Sequence, residues 1–450
     1  MLAPALQDLG ADVHVYDPDP NAPALRRAAR AVSGSWRDVP RLQEFFDACD
    51  VVTYEFENVE TEGLVQLSGL DKLLPSLRVL RTTQNRALEK EFLRTHGLPH
   101  VAFVDGTATD GLAAAALGFG FPSILKTARG GYDGKGQWKL SSPADLEALL
   151  STPARATLDA SGWVLEEPIE IVLETSAIVA RERSGDEVVF PLFENEHRDH
   201  VLDVTLVPAR LPDDLEAEAK AVALAAARAL GVTGLLTTEL FVGRSARSRP
   251  GEVRVFTNEF APRPHNSGHV TRKACTFSQF EALARILLGI PLVPPRLVSA
   301  GAFCMANLLG EVWEAQGTTG SLDLGAWEGN PGLLEVVLYG KTGVGTKRKM
   351  GHLTVRGGDA EEAISSARAL REAISRTGPA GPYNQRFGCS VPASPTPSSA
   401  SSPSSATRER RSSTSSGSAT RTSPREGWRR FSPASGPPST SGSSTSVPSR

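Results

Sequence analysis

Cysteine is sparse and unpatterned in this chain of 450 residues. Cys49, Cys275, Cys304 and Cys389 show no CxxC or CxxxH spacing. That excludes a disulfide framework and a cysteine-based zinc site, and it fits a reducing compartment. Long apolar runs are also missing. Nothing approaches the roughly 18 consecutive apolar residues that a membrane span needs, and the longest apolar helical stretch, near Ala221–Leu230, is short and alanine-rich. The opening MLAPALQDLG lacks the basic and apolar regions of a secretory signal. Neither sign of charge dominates: 48 Lys and Arg against 51 Asp and Glu leave a formal net charge of −3. Nothing global therefore points to nucleic acid or to an acidic membrane surface. The expectation is a cytoplasmic protein with enough chain for two or three domains.

Three folded segments and a tail are expected. The first covers residues 1–88. Its runs DVHVY (12–16) and DVVTY (50–54) look like parallel strands with helical patterns around them, a β–α–β rhythm that implies a doubly wound sheet. Asp17 and Asp19 read as an acidic turn built on Pro18 and Pro20. The second segment, 89–291, opens on a helix over 86–96 that stops at Gly97 and Pro99. It continues through strands at 163–167, 234–242 and 253–260, with a helix over 215–230 ending at Gly231. The third, 292–377, has strands at 302–308, 335–339 and 352–355 and a helix over 360–375. From 378 to 450 the composition shifts to Ser, Pro, Thr, Arg and Gly, too poor in aliphatic residues to offset ordering entropy, so disorder is expected.

Chemistry concentrates in three places. KTARGGYDGKGQ (126–137) follows the apolar run 121–125. A lysine at a strand end followed by Gly130, Gly131, Gly134 and Gly136 suits a polyphosphate: glycines let backbone N–H groups approach oxygens, and the ammonium neutralises charge. A glycine-rich hairpin without a ligand is the plainer alternative. Glu239 and Glu259 then interrupt otherwise apolar strands, with Asn258 beside the second. Two converging carboxylates repel unless a cation sits between them, and Mg²⁺ shared with phosphates suits such a pair. Pairing of each acid with a nearby cation such as Arg263 is the alternative. Residues 263–269 (RPHNSGH) are too polar for a core strand and read as a loop lining a ligand site. Lys341 with Lys347, Arg348 and Lys349 makes either a phosphate grip or a solvated basic hairpin.

Taken in order, KTARGGYDGKGQ, LEE (165–167), TELF (238–241), NEFAPRPHNSGH (258–269) and YGK…KRKMGH (339–352) resemble the N5-carboxyaminoimidazole ribonucleotide synthase family, ATP-grasp enzymes of purine biosynthesis. The resemblance covers about residues 1–376. It implies an α/β ATP-grasp fold with an N-terminal Rossmann-like domain and a small C-terminal β-rich domain. It assigns ATP to Arg86, Lys126 and the loop Gly130, Gly131, Tyr132, Asp133, Gly134, Lys135 and Gly136. Adenine falls to Glu166, Glu167 and Ile169, and the ribose to Glu174, with His197 as another nucleotide-site residue. Asn258 and Glu259 lie by the phosphates, with Glu239 and Glu259 as ligands of Mg²⁺, or Mn²⁺ in its place. The ribonucleotide falls to Tyr132, Arg263, His265, Asn266, Ser267, Lys341 and Arg348, with Glu55 as a first-domain contact and Glu57, expected to point the same way along a strand, as its alternative. Asp133, Lys126 and Lys341 are assigned to the chemistry.

The implied reaction is bicarbonate attack on ATP to give carboxyphosphate, then carboxylation of 5-aminoimidazole ribonucleotide. A homodimer and a functional link to a companion mutase are also implied. Two departures stand out. The family opens with a strand and a turn resembling GGGQLGRM, whereas this chain starts at what looks like the Met of that motif. Either the start lies upstream or the product is impaired. The tail resembles nothing in the family and is either a disordered extension or a frame-shifted reading. Other readings are another ATP-grasp carboxylase or formyl-phosphate enzyme, and a truncated ATP-binding protein without turnover.

Overall fold

The computed structural model describes residues 1–131, 134–247, 249, 251–325 and 329–376. All belong to the unit Met1–Gln385. Tyr132, Asp133, Cys389 and the tail expected to be disordered lie outside the described residues.

Three sheets organise it. The first pairs β1 (His14–Asp17) with β2 (Arg30–Ser33) in parallel. The second has four strands, β3 (Phe103–Gly106), β4 (Ser123–Thr127), β5 (Gln137–Leu140) and β6 (Trp163–Glu166), in the order β3-β6-β4-β5. The third contains β7 (Ile169–Arg181), β8 (Glu187–Val189), β9 (Phe193–Arg198), β10 (Val201–Val207), β11 (Gly234–Ser245), β12 (Arg254–Ala261), β13 (Ala302–Leu309), β14 (Leu333–Leu338) and β15 (Lys349–Gly357). Its order is β12-β11-β7-β9-β10-β13-β15-β14, with β8 on β7. The strands of the third segment therefore extend the sheet of the second, joined where β10 pairs with β13.

The run 50–54 departs from expectation. It forms only a bridge, Val52 with Leu73, rather than a strand beside β1. Its backbone bonds go to the chain at 72–74 (Val52 N–H to Lys72 O, Leu74 N–H to Val52 O), while β1 pairs with β2 alone. Past the bridge, residues 53–60 carry no ladder, so the period-two alternation expected of Glu55 and Glu57 is lost.

Alternation does hold in the large sheet and decides where a ligand can sit. One face of β7 and β11 carries Ala177, Val179, Leu240 and Val242 and packs under the helix Asp213–Leu230. On the other face, Ile178, Phe193, Leu235 and Met305 are covered by the helix Gln279–Leu288. Beyond that helix the same face turns polar, with Glu174, Ser176, Asn195, Glu239 and Glu259 in register across the strands.

Candidate active site

The helix Arg86–Thr95 joins the two larger sheets. Asn85 caps it, accepting from Ala87 N at 2.9 Å and Leu88 N at 3.3 Å. Residues 86, 89 and 90 share one side of a helix, and all three reach into the site. Arg86 donates from Nη2 to Gly131 O at 3.1 Å and to Glu259 Oε2 at 3.4 Å. Glu89 accepts from Phe260 N at 2.6 Å. Lys90, 1% exposed, reaches the carbonyls of Thr257 (3.3 Å) and Asn258 (3.2 Å) and Glu166 Oε1 at 3.4 Å. Neither Glu89 nor Lys90 was singled out in the sequence. The signal available was a pair of charged residues on the face that also carries apolar Leu93.

On the smaller sheet, Lys126 and Glu166 sit diagonally on neighbouring β4 and β6 and pair at 2.7 Å. Burial opposes charge on Glu166, but Lys126 and Lys90 outweigh it and hold the carboxylate down at about 2. Glu167 turns the other way, accepting from Ser245 Oγ at 2.6 Å and Arg247 N at 3.3 Å; Ile169 begins β7 opposite Ser245. Gly131 and Gly136 both close on Thr127: a Cβ on Gly131 would stand 3.0 Å from Thr127 Oγ1, and one on Gly136, whose φ is +69°, 2.5 Å. Thr127 Oγ1 itself is buried and has no hydrogen-bond partner among the described residues.

On the larger sheet Glu239 and Glu259 are direct cross-strand partners. A β-bulge follows, since Glu239 pairs with Glu259 and Leu240 with Thr257, leaving Asn258 as the extra residue. Burial and the Glu239 charge push Glu259 up. Glu239 goes the other way: burial is outweighed by His265, bonded through Nε2 at 2.8 Å, and the carboxylate falls to about 2. The pair thus concentrates negative charge, and a cation between the two carboxylates would reverse the shift on Glu259. Among the described residues no three His, Cys, Asp or Glu side chains are arranged to hold a metal by themselves. An ion here would complete its shell with phosphate oxygens and water, as Mg²⁺ does.

Glu174 and His197 come together, Oε2 to Nδ1 at 2.6 Å. Burial disfavours the imidazolium, but Glu174 raises the His197 pKa. In the segment 263–269, Arg263 pairs with Glu57, whose carboxyl it holds low against the cost of burial. Glu55 is exposed and accepts from Leu2 N at 3.2 Å, so it is Glu57 that joins the cluster. His265 is bonded to Ser267, and Asn266 exchanges two amide bonds with Asn307, at 2.7 and 3.1 Å. Lys341 lies over the Tyr339 ring at 5.2 Å and donates to Lys349 O at 2.7 Å. Arg348 is exposed and directed to the carbonyls of Thr342 and Gly343.

Similarity to known proteins follows this division. Residues 1–84 match the ribonucleotide synthetase preATP-grasp domain, 91–280 the ATP-grasp domain, and 304–366 the phosphoribosylaminoimidazole carboxylase C-terminal domain. The chain is 33% identical over 357 residues to the N5-carboxyaminoimidazole ribonucleotide synthase of Bacillus subtilis, covering 79% of this chain and 87% of that one. It is 35% identical over 370 residues to the bifunctional purine synthesis protein purC/E of Dictyostelium discoideum, covering 79% of this chain but spanning only 35% of that longer protein. The Aspergillus clavatus N5-carboxyaminoimidazole synthase, solved with ADP and 5-aminoimidazole ribonucleotide, superposes with a TM-score of 0.70 at 26% identity, over 84% of this chain and 96% of that one. With its α/β architecture of preATP-grasp, ATP-grasp and β-rich C-terminal parts, the chain belongs to the N5-carboxyaminoimidazole ribonucleotide synthase family.

Proposed function

We propose that this chain is an ATP-dependent ligase that carboxylates 5-aminoimidazole ribonucleotide to N5-carboxyaminoimidazole ribonucleotide, a step of purine synthesis. One observation carries the reading: Arg86, Lys126 and the in-register pair Glu239 and Glu259 converge on the open polar end of a sheet. That is a polyphosphate and divalent-cation arrangement. Glu239 and Glu259 would hold Mg²⁺, or Mn²⁺, which neutralises charge between the phosphates when bound.

Arg86 and Lys126 stabilise the charge that develops as bicarbonate attacks the terminal phosphoryl group, giving carboxyphosphate and ADP. Glu166 and Lys90 hold Lys126 in place for this. Glu174 and His197 face the ribose side of the nucleotide, and the chain at Glu166, Glu167 and Ile169 runs beside the adenine. Arg263, His265 and Asn266 orient the ribonucleotide, with Glu57 setting the guanidinium of Arg263; Ser267, fully buried and bonded to His265 and Ser176, acts behind them rather than on the ribonucleotide. Lys341 and Arg348 serve its phosphate. Tyr132 and Asp133 keep the roles given by resemblance, Asp133 handling the proton of the exocyclic amine. The domain boundaries at 88, 291 and 377, cytoplasmic location, homodimerisation and a link to a companion mutase belong to the same reading.

The test is ADP release by the full chain with Mg²⁺-ATP and bicarbonate, with and without 5-aminoimidazole ribonucleotide. Release that depends on the ribonucleotide is expected. ATP binding without turnover, or turnover only with formate and glycinamide ribonucleotide, would overturn the proposal.

A further inference from the structure

A line of buried polar side chains runs away from His265 beneath the site. His265 Nδ1 lies 2.9 Å from Ser267 Oγ. Ser267 Oγ is 2.8 Å from Ser176 Oγ, Asn195 Nδ2 donates to Ser176 Oγ at 3.0 Å, and Thr205 Oγ1 donates to Asn195 Oδ1 at 3.0 Å. Ser176, Ser267 and Thr205 are fully buried and Asn195 nearly so. These residues come from β7, β9, β10 and the segment after β12. An apolar row would pack this interior as well, so the hydroxyls call for a reason.

Donor counting supplies one. The Glu239 carboxylate can only accept, so the His265 Nε2 that faces it carries hydrogen. The backbone N–H of Ser267 also points at Nδ1, at 3.4 Å, which makes Nδ1 an acceptor. Ser267 must then give its single hydroxyl hydrogen to Nδ1 and accept from Ser176. Ser176 in turn gives its hydrogen to Ser267 and accepts from the Asn195 amide. Asn195 can present N–H to Ser176 because its oxygen is occupied by the Thr205 hydroxyl. One polarity satisfies every member.

We propose that Thr205, Asn195 and Ser176 are positioning residues that fix the tautomer and ring orientation of His265 through Ser267. The ring then donates to Glu239 and holds that carboxylate in one rotamer beside Glu259. The assignment rests on the functional reading only for what the orientation serves; the tautomer itself is a property of the free protein.

The experiment uses the full chain labelled with ¹⁵N-histidine, the His265 ring signals being identified by their loss in His265→Gln. Wild type shows hydrogen on Nε2 and a bare Nδ1. Asn195→Asp offers Ser176 an acceptor in place of a donor, so the chain reverses and the hydrogen moves to Nδ1; kcat falls about tenfold or more, with KM for ATP within about twofold. Thr205→Val frees the amide to turn and gives intermediate ring signals, and Thr205→Ser restores them. Should Asn195→Asp fail to fold by circular dichroism, the Thr205 pair carries the test. Ring signals identical to wild type in both Asn195→Asp and Thr205→Val overturn the proposal, whatever the activity. Ring shifts in these variants, with a wild-type chain that shows no ribonucleotide-dependent turnover, would uphold it and remove the functional reading alone.

Discussion

Lys90 shows how much one buried charge can organise. Its ammonium touches Glu166 on one sheet and two backbone carbonyls on the other. Replacement by Met keeps the stem but leaves Glu166 with Lys126 alone, and breaking a buried ion pair this way costs about 3–5 kcal/mol. Urea unfolding of Lys90→Met should show a loss of that size; a change under about 1 kcal/mol would mean that water replaces the ammonium. Glu166 adds a pH signature. Its folded pKa, about 2, is depressed from 4.5, so its stabilisation is present above pH 4.5 and is lost as pH falls toward 2. Lys90→Met should move that acid loss upward in pH.

Glu89 has the opposite sign. Burial and the Glu259 charge raise it to about 8 from 4.5. Its contribution is full below pH 4.5 and declines as pH rises toward 8, by up to about 1.4 kcal/mol per unit. Glu89→Gln keeps an acceptor for Phe260 N–H, so its stability should fall less between pH 5 and pH 8 than that of wild type. Parallel pH dependences would refute this. Both residues escaped the sequence reading for a physical reason. Charges at adjacent positions of an amphipathic helix look like its solvated flank until the tertiary contacts are known. Lys126, Glu239 and Glu259 were legible because a strand interior gives a charge no such excuse.

Among elements, the glycine loop was read from spacing alone, and the structure explains why its glycines are unequal. Among the described residues nothing lies within 4 Å of where a Cβ on Gly130 (φ +74°) would sit, whereas Gly136 (φ +69°) has Thr127 Oγ1 at 2.5 Å. Both alanine variants carry the left-handed penalty of about 1–2 kcal/mol. Gly136→Ala must also displace Thr127, so it should raise KM for ATP several-fold more than Gly130→Ala does; equal effects would contradict the geometry. The misread element is instructive too. DVVTY has the composition of a strand, but a strand needs a neighbour, and its backbone bonds lead to residues 72–74 rather than to β1. Composition reports propensity, and pairing is decided elsewhere. The choice between Glu55 and Glu57 was illegible for the same reason, because it depended on an alternation that only a strand enforces.

At the scale of the molecule, the segment boundary near residue 291 does not separate two sheets. β13 pairs with β10 and carries β15 and β14 beyond it, and Val204, Leu206, Cys304, Ala306 and Leu353 share one core. Ending the chain at residue 300 would leave β10 as an open edge with that core uncovered. Such a truncation should be insoluble or bind a hydrophobic dye strongly, while a well-folded, soluble fragment would show the C-terminal strands to be an appendage. The described helices include none long and apolar enough to cross a membrane.

The in-register pairing of Glu239 with Glu259 also bears on how such a chain can change length. Side chains alternate at every step of a strand, so one inserted or deleted residue between Gly234 and Glu239 would send the carboxylate to the opposite face, under the helix Asp213–Leu230. The connection between β11 and β12 lies beyond that stretch and can grow or shrink without moving either acid. Tolerance of insertions along this hairpin should therefore be uneven: free at the tip, and forbidden in odd numbers between Gly234 and Glu239.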